Sequence, residues 1–307
     1  MSVAFVFPGQ GSQQVGMMSG FAGHRAVRDT FAEASEALGD DLWKLVDEGP
    51  AEALGLTRNT QPAMLTAGVA VWRAWQAASG RAPAFMAGHS LGEYSALVAA
   101  GALAFRDAVP LVRFRAEAMQ DAVAAGVGAM AAVIGADDAA VAEACREAAQ
   151  GEVVEPVNYN APGQIVIAGN KSAVERAIAA AKARGAKRAM LLPVSAPFHC
   201  PLMQPAADAM AEALGKTPPQ PMRLPLYANV TAALVGNPQT EQGLLVEQVT
   251  GRVRWRESVI AMKDAGIAHY VEIGGKVLGP MIGRTVEDVT VTSVVTMADI
   301  ETLAKEL

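Results

Sequence analysis

Apolar and polar positions fall along the chain in blocks whose period changes from place to place. Val3 to Phe7 is an uninterrupted apolar run that stops at Pro8, which predicts a buried strand feeding the loop Pro8-Gly9-Gln10-Gly11-Ser12-Gln13. Helical spacing follows over 26–38 and 61–78, where Asn59 and Thr60 are capping candidates ahead of Pro62 in a first turn. A short strand over 84–87 meets Gly88-His89-Ser90-Leu91-Gly92, and a helix pattern then runs to about Ala100. Residues 106–125 are again helical, with Val109, Val112 and Met119 on an apolar stripe beside Arg113 and Arg115.

From 129 to 194 the pattern becomes a self-contained series: strand 129–134, helix 138–149, strand 153–159, strand 164–168, helix 172–184, strand 189–194. This βαββαβ order is ferredoxin-like. Helices near 205–214, 240–249 and 258–265 then alternate with strands near 226–229, 269–273 and 289–295, as a parallel α/β sheet requires. The expectation is an α/β protein whose parallel-sheet core comprises residues 1–126 and 196–307, with 127–195 as an inserted small subdomain.

Composition narrows the function. The 307 residues are 51% hydrophobic, 18% charged and 5% aromatic, enough for a sizeable core and unlike a disordered chain. Lys+Arg 25 against Asp+Glu 31 gives −6, which disfavours wrapping nucleic acid or lying on an anionic membrane. Cys145 and Cys200 are too few for a disulfide framework or a metal knuckle, and fit a reducing cytoplasm with no bound metal. The N-terminus lacks a basic stretch, and 189–207 is broken by four prolines, so neither a signal peptide nor a membrane span is expected.

Gly88-His89-Ser90-Leu91-Gly92 is a G-x-S-x-G between a predicted strand and a predicted helix. There a sharp turn exposes the serine hydroxyl while the helix N-terminus aims N–H groups at developing negative charge. The plain alternative is a helix-capping serine. A serine needs a base, and the four histidines are His24, His89, His199 and His269. His89 should point to the opposite side of the turn. His24 sits in a polar helix approach, and His269 opens an apolar strand. His199 stands in the proline-stiffened loop Ser195-Ala196-Pro197-Phe198-His199-Cys200-Pro201, the best place to hold a side chain over a cleft. Cys200 reads as a buried inert thiol. Arg113 and Arg115 share a helix, so one of them should face inward, toward a carboxylate or a structural salt bridge. The loop after the first strand lacks the third glycine of a dinucleotide fingerprint, since Gln14 stands there, and can serve as an oxyanion donor or a simple turn. Lys182, Arg184, Lys187 and Arg188 form a basic cluster that either attracts an acidic partner or is a solvated helix end.

Together, FVFPGQGSQ, GHSLGEYSAL around Ser90, RAEAMQ from Arg115, NYNAPGQIVIAG from Asn158, PVSAPFHCPLM around His199, LVEQV around Gln248 and EIGGKVLG from Glu272 resemble the malonyl-CoA:acyl carrier protein transacylases over essentially the whole chain. The resemblance implies an α/β-hydrolase-like core with a ferredoxin-like insertion. It implies Ser90 as nucleophile, His199 as base, and the backbone amides of Gln10 and Leu91 as oxyanion donors. Arg115 becomes the clamp for the malonyl carboxylate, Gln248 orients His199 through a carbonyl oxygen, and Asn160 lies near the site. No cofactor is implied. The expected substrate is malonyl-CoA and the expected partner an acidic acyl carrier protein docking near the basic cluster, with the enzyme a cytoplasmic monomer serving fatty-acid synthesis. Two departures fall on loops: Gly274-Gly275-Lys276 where a proline commonly separates glycines, and Phe198 where serine is frequent. The rival readings are a serine esterase or thioesterase using water as acceptor, and a noncatalytic nucleotide-binding module.

Overall fold

A computed structural model describes residues 2–194 and 196–307; Ser195, the first residue of the loop singled out above and the last of the expected insertion, lies outside the described residues. Among these, nine strands run in chain order as β1 (Val3–Phe7), β2 (Phe85–Gly88), β3 (Gly128–Ile134), β4 (Val154–Ala161), β5 (Gln164–Asn170), β6 (Arg188–Leu191), β7 (Leu226–Tyr227), β8 (His269–Ile273) and β9 (Thr290–Val294). They form a five-stranded sheet of order β7-β2-β1-β8-β9 and a four-stranded sheet of order β4-β5-β3-β6. Every pairing in the first is parallel and every pairing in the second antiparallel.

β1 is buried along its whole length because helices cover both faces of the parallel sheet, which is why it reads as a run rather than an alternation. Its side chains still alternate. Phe5 and Phe7 pack on one face, with Phe5 edge-on to Trp72 and Trp75 at 5.9 and 5.4 Å, while Ala4 and Val6 join Trp255 and Tyr270 on the other. The small sheet divides likewise. Ala129, Ala131, Val133, Ile165 and Ile167 pack under the helices Asp138–Ala149 and Lys171–Ala183, whereas Met130, Val166 and Ala168 turn inward to the main core. The βαββαβ series is therefore seated with one face on the large unit.

The second long helix departs from the capping expectation. It spans Thr57–Ala78 and carries Pro62 in its interior. Asn59 and Thr60 are not caps because their side chains turn back to the preceding helix Ala51–Gly55: Asn59 Nδ2 donates to the Ala53 carbonyl, and Thr60 Oγ1 to that of Leu54. No helix is long and apolar enough to cross a membrane among the described residues.

Candidate active site

β1 and β2 lie side by side with Phe7 opposite Gly88, so both strands deliver their C-terminal loops to one edge. There the chain turns from β2 into the helix Leu91–Ala99 through Ser90, at φ 53° and ψ −111°. Such a backbone is strained for a residue with a side chain. The flanking glycines make the turn physically attainable. A methyl at Gly88 would lie 1.9 Å from the Gly92 carbonyl carbon, and one at Gly92 would lie 2.0 Å from the Phe7 oxygen. The Ser90 hydroxyl makes no cap to the helix. It lies instead 2.7 Å from His199 Nε2.

His199 is itself in the left-handed region at φ 65° and is 4% exposed. Its Nδ1 lies 2.8 Å from the main-chain carbonyl of Gln248. A carbonyl only accepts, so Nδ1 carries the proton and Nε2 presents its lone pair to the Ser90 O–H. Burial, and then the positive charge of Arg115, push the imidazole down to about 3. His199 is thus neutral at physiological pH, the form a general base needs.

The other histidines sort differently. His24 precedes the helix Arg25–Leu38 without capping it, and His269 is buried against Thr292 Oγ1 at 2.9 Å. His89 borders the cavity with Ser90, while its ring is turned to groups outside that space: Nε2 lies 2.8 Å from Asn160 Oδ1, and the ring lies 5.8 Å from that of Trp255 on the other face of the sheet. Cys200 is fully buried, its Sγ donates to the Pro197 carbonyl, and burial pushes the thiol up to about 12.

Arg115 is the inward-facing arginine, 1% exposed, while Arg113 pairs with Asp40 at 3.1 Å. Its guanidinium donates to Gln61 Oε1 at 2.6 Å, to Gln248 Oε1 at 2.8 Å and to Ser90 Oγ at 3.4 Å, and it stands over the Tyr94 ring. Nε has no partner. Among the described residues no carboxylate forms an ion pair with it, so the salt-bridge alternative does not describe this arginine. Burial disfavours its charge, yet a guanidinium stays protonated. The result is a buried cation held by neutral amides beside Ser90. Nearby, Glu93 accepts from Gln248 Nε2 at 2.8 Å, and burial pushes its carboxyl up to about 7. Glu241 has neither oxygen partnered, and burial, with Glu93 close by, pushes it up to about 9.

Gln248 thus acts twice. Its main-chain oxygen faces His199, while its side chain ties Arg115 to Glu93 and to the Ser90 carbonyl. Gln10 and Leu91 both line the cavity with Ser90. Leu91 is the first residue of its helix, where a main-chain N–H has no acceptor within the helix. The loop carrying Gln10 presses onto the elbow so closely that a methyl on Gly9 would lie 2.4 Å from the His89 oxygen. The enclosed space is about 100 Å³, a few water volumes, which admits a short acyl group.

Asn160 is buried on His89 and does not line this space, whereas Asn158 does, with its Oδ1 buried and unpartnered. Asn160 thus lies next to the site, as expected; sequence reasoning missed Asn158, and it also missed Asn229, whose side chain binds both Ser90 N and the Gly88 carbonyl. Phe198 forms part of the cavity wall, so that departure touches the lining of the site as well as its loop. At the other departure the Glu272 carboxylate accepts from the main-chain N–H groups of Val277, Leu278 and Gly279, closing the loop onto the next helix. In the basic cluster Arg184 pairs with Glu147, while Lys182, Lys187 and Arg188 are exposed. No cluster of three or more metal-binding side chains occurs among the described residues.

A parallel sheet presenting a serine at a strand-to-helix elbow, with a neutral histidine against it, defines an acyl-transfer architecture, and the chain belongs to the acyl transferase domain family, which matches residues 4–299. Within that family it is similar to the malonyl CoA-acyl carrier protein transacylase of Escherichia coli K12, 55% identical over 292 residues covering 94% of each chain. It is 45% identical over 285 residues to that of Bacillus subtilis, covering 92% of this chain and 90% of the other. Among solved structures it resembles an acyl-carrier-protein S-malonyltransferase from Burkholderia pseudomallei 1710b with a TM-score of 0.97, 52% identity and coverage of 99% and 100%. A malonyl-transacylase in complex with its type II PKS acyl-carrier protein gives a TM-score of 0.98 at 47% identity, with 100% of each chain covered.

Proposed function

We propose that the chain transfers a malonyl group from malonyl-CoA to the phosphopantetheine thiol of acyl carrier protein, through a malonyl ester on Ser90, and so supplies fatty-acid synthesis. The observation that carries this reading is the 2.7 Å contact between Ser90 Oγ and a neutral His199, made beside a buried guanidinium that lacks an anionic partner. His199 takes the Ser90 proton as Oγ attacks the thioester carbonyl. The main-chain N–H groups of Gln10 and Leu91 receive the oxyanion, and coenzyme A leaves with the proton returned from His199. The carrier thiol then repeats these steps in reverse. General-base assistance contributes about 10² to 10⁴ in rate and one oxyanion donor about 10² to 10³.

Specificity follows from Arg115. A malonyl carboxylate supplies the charge partner that two glutamine oxygens now only approximate, whereas an acetyl group leaves the cation uncompensated in a dry pocket. In this reading residues 1–126 and 196–307 form the catalytic core and 127–195 the small subdomain. Asn160 acts at one remove, through His89. The acidic carrier protein meets exposed Lys182, Lys187 and Arg188, and the enzyme works as a cytoplasmic monomer without a cofactor. The similarity to malonyl transacylases over nearly the full chain, one of them in complex with its acyl-carrier protein, supports the choice of acyl donor and acceptor. The test is a chase. Protein loaded from malonyl-CoA and freed of excess should pass its label to added holo carrier protein; release of free malonate in its place would favour the esterase reading.

A further inference from the structure

The elbow poses a problem that its own sequence does not solve. At Ser90 the chain leaves the sheet and has not yet entered the helix, so the Ser90 N–H and the Gly88 carbonyl both need partners from elsewhere. The neighbouring strand is too short to supply them. β7 is two residues long, and its register with β2 is Met86 opposite Leu226 and Ala87 opposite Tyr227. Continued by two residues, that register sets His89 opposite Asn229.

In a parallel ladder a residue donates to the carbonyl before its opposite number and accepts from the N–H after it. Asn229 does both with its side chain. Nδ2 donates to the Gly88 oxygen at 2.6 Å, and Oδ1 accepts from Ser90 N at 2.7 Å. The side-chain amide stands in for a missing peptide group. On the opposite side His89 N donates to the Phe7 oxygen, so the elbow is held from both neighbouring strands. Asn229 is itself held: its N–H donates to Glu93 Oε2 at 3.0 Å, its carbonyl accepts from Arg254 N at 3.0 Å, and it is 1% exposed.

We propose that Asn229 is a positioning residue for acyl transfer, its carboxamide extending the β2–β7 ladder past the last strand residue so that Ser90 keeps the left-handed turn that sets Oγ against His199. This rests on the assignment of Ser90 as the acylated residue. Other amino acids do not reproduce the arrangement: an aspartate accepts from Ser90 N but, while ionised, offers nothing to the Gly88 oxygen, and an alanine offers neither.

The experiment compares Asn229→Asp and Asn229→Ala with Val259→Ala, a core truncation on the far face of the parallel sheet. Two rates are read at a fixed interval below each Tm: Ser90 acylation by malonyl-CoA and Ser90 labelling by a fluorophosphonate. Both Asn229 variants should lose about 100-fold or more in both rates, the scale set by a small misplacement of reacting groups, with a much smaller change in the KM for malonyl-CoA. Asn229→Asp should recover toward the wild-type rate as pH falls, because a protonated carboxyl donates to the Gly88 oxygen while accepting from Ser90 N. The charged and titratable groups around it, Glu93, Glu241, His89, His199, Arg115 and Arg254, are common to both proteins, so the ratio of the two rates isolates the new carboxyl. Rates no lower than those of a Val259→Ala protein with a matched fall in Tm would overturn the proposal. Failure of both variants to fold would overturn it too, by making the role purely structural. A wild-type protein labelled by fluorophosphonate but not by malonyl-CoA would refute the assigned substrate and leave the Asn229 comparison decided by the fluorophosphonate rates.

Discussion

The small antiparallel unit and the parallel core deal with buried polar groups in different ways. Between β3 and β6 the charges lie at the surface in pairs such as Arg176 with Glu152, the first helix is capped by Asp137, and β3 and β5 divide their side chains between the helices and the main core. Within those residues one buried side-chain atom lacks a partner, Asn158 Oδ1, and it lines the catalytic cavity. In the core, by contrast, Glu93 Oε1, the Tyr94 hydroxyl, Arg115 Nε and both oxygens of Glu241 go unpartnered, and Ser90 and His199 hold left-handed backbone. Departures from local rules gather around Ser90, His199 and Arg115, although Gln150 in the small unit and Ala232 and Asp288 elsewhere also hold left-handed backbone. Unpartnered groups also occur away from the cavity, at His24 Nδ1 and Arg113 Nε, while Met130, Asn158 and Val166 of the small unit form part of the cavity wall.

That contrast can be broken at either side. The largest effect is expected at Arg115. Arg115→Ala should cost malonyl transfer about 10² to 10³-fold, the scale of a broken buried pair, and should raise acetyl transfer relative to malonyl. Competition kinetics with the two acyl-CoA substrates read this directly, and an unchanged preference would remove Arg115 from substrate selection. Next comes the small unit. Ile167 sits mid-strand in β5, 1% exposed and turned toward the helices, so Ile167→Ala should cost about 2 to 5 kcal/mol of stability by denaturant titration. Ser90 acylation, measured well below the Tm, should stay near wild type; a loss on the scale of Arg115→Ala would mean that the two regions are not separable.

The smallest expected effect is an absence. Because burial and Arg115 hold the His199 imidazole far below its usual range, the base-competent neutral form persists as pH falls. In a Glu93→Gln protein, which removes the carboxyl that burial raises to about 7, the acylation kcat/KM should therefore stay nearly level from pH 7.5 down to about 5, declining only as pH approaches the depressed pKa of His199. A sigmoidal fall centred near the ordinary imidazole value of about 6.5 would show that the charge environment of the core does not reach the base.

The same contrast explains how much of the molecule is legible in its sequence. The βαββαβ order can be read because its central strands are short apolar runs, buried on both faces, that alternate with helices of clear apolar spacing. The serine elbow is legible because close backbone approach leaves no choice but glycine at 88 and 92. Asn229 is not, since its role depends on a register with a strand some 140 positions away and on its own strand being only two residues long. The part of Asn158 in the cavity wall is hidden by irregularities in β4 at 156–158 and 159–161, which upset the simple alternation. Gln248 comes from family likeness alone, and only the fold separates its main-chain contact with His199 from its side-chain contact with Arg115.

In the proposed reaction a hydroxyl on a strained turn becomes an ester because a neutral imidazole from a distant loop lies against it. Peptide-mapped mass spectrometry of the wild-type and His199→Ala proteins, quenched at matched times after mixing with malonyl-CoA, tests this most directly. The malonyl increment is expected on the peptide carrying Ser90 in the wild type, and should be nearly absent at the same times in the variant. Equal labelling of Ser90 in both proteins, or an increment mapped to another residue, would contradict it.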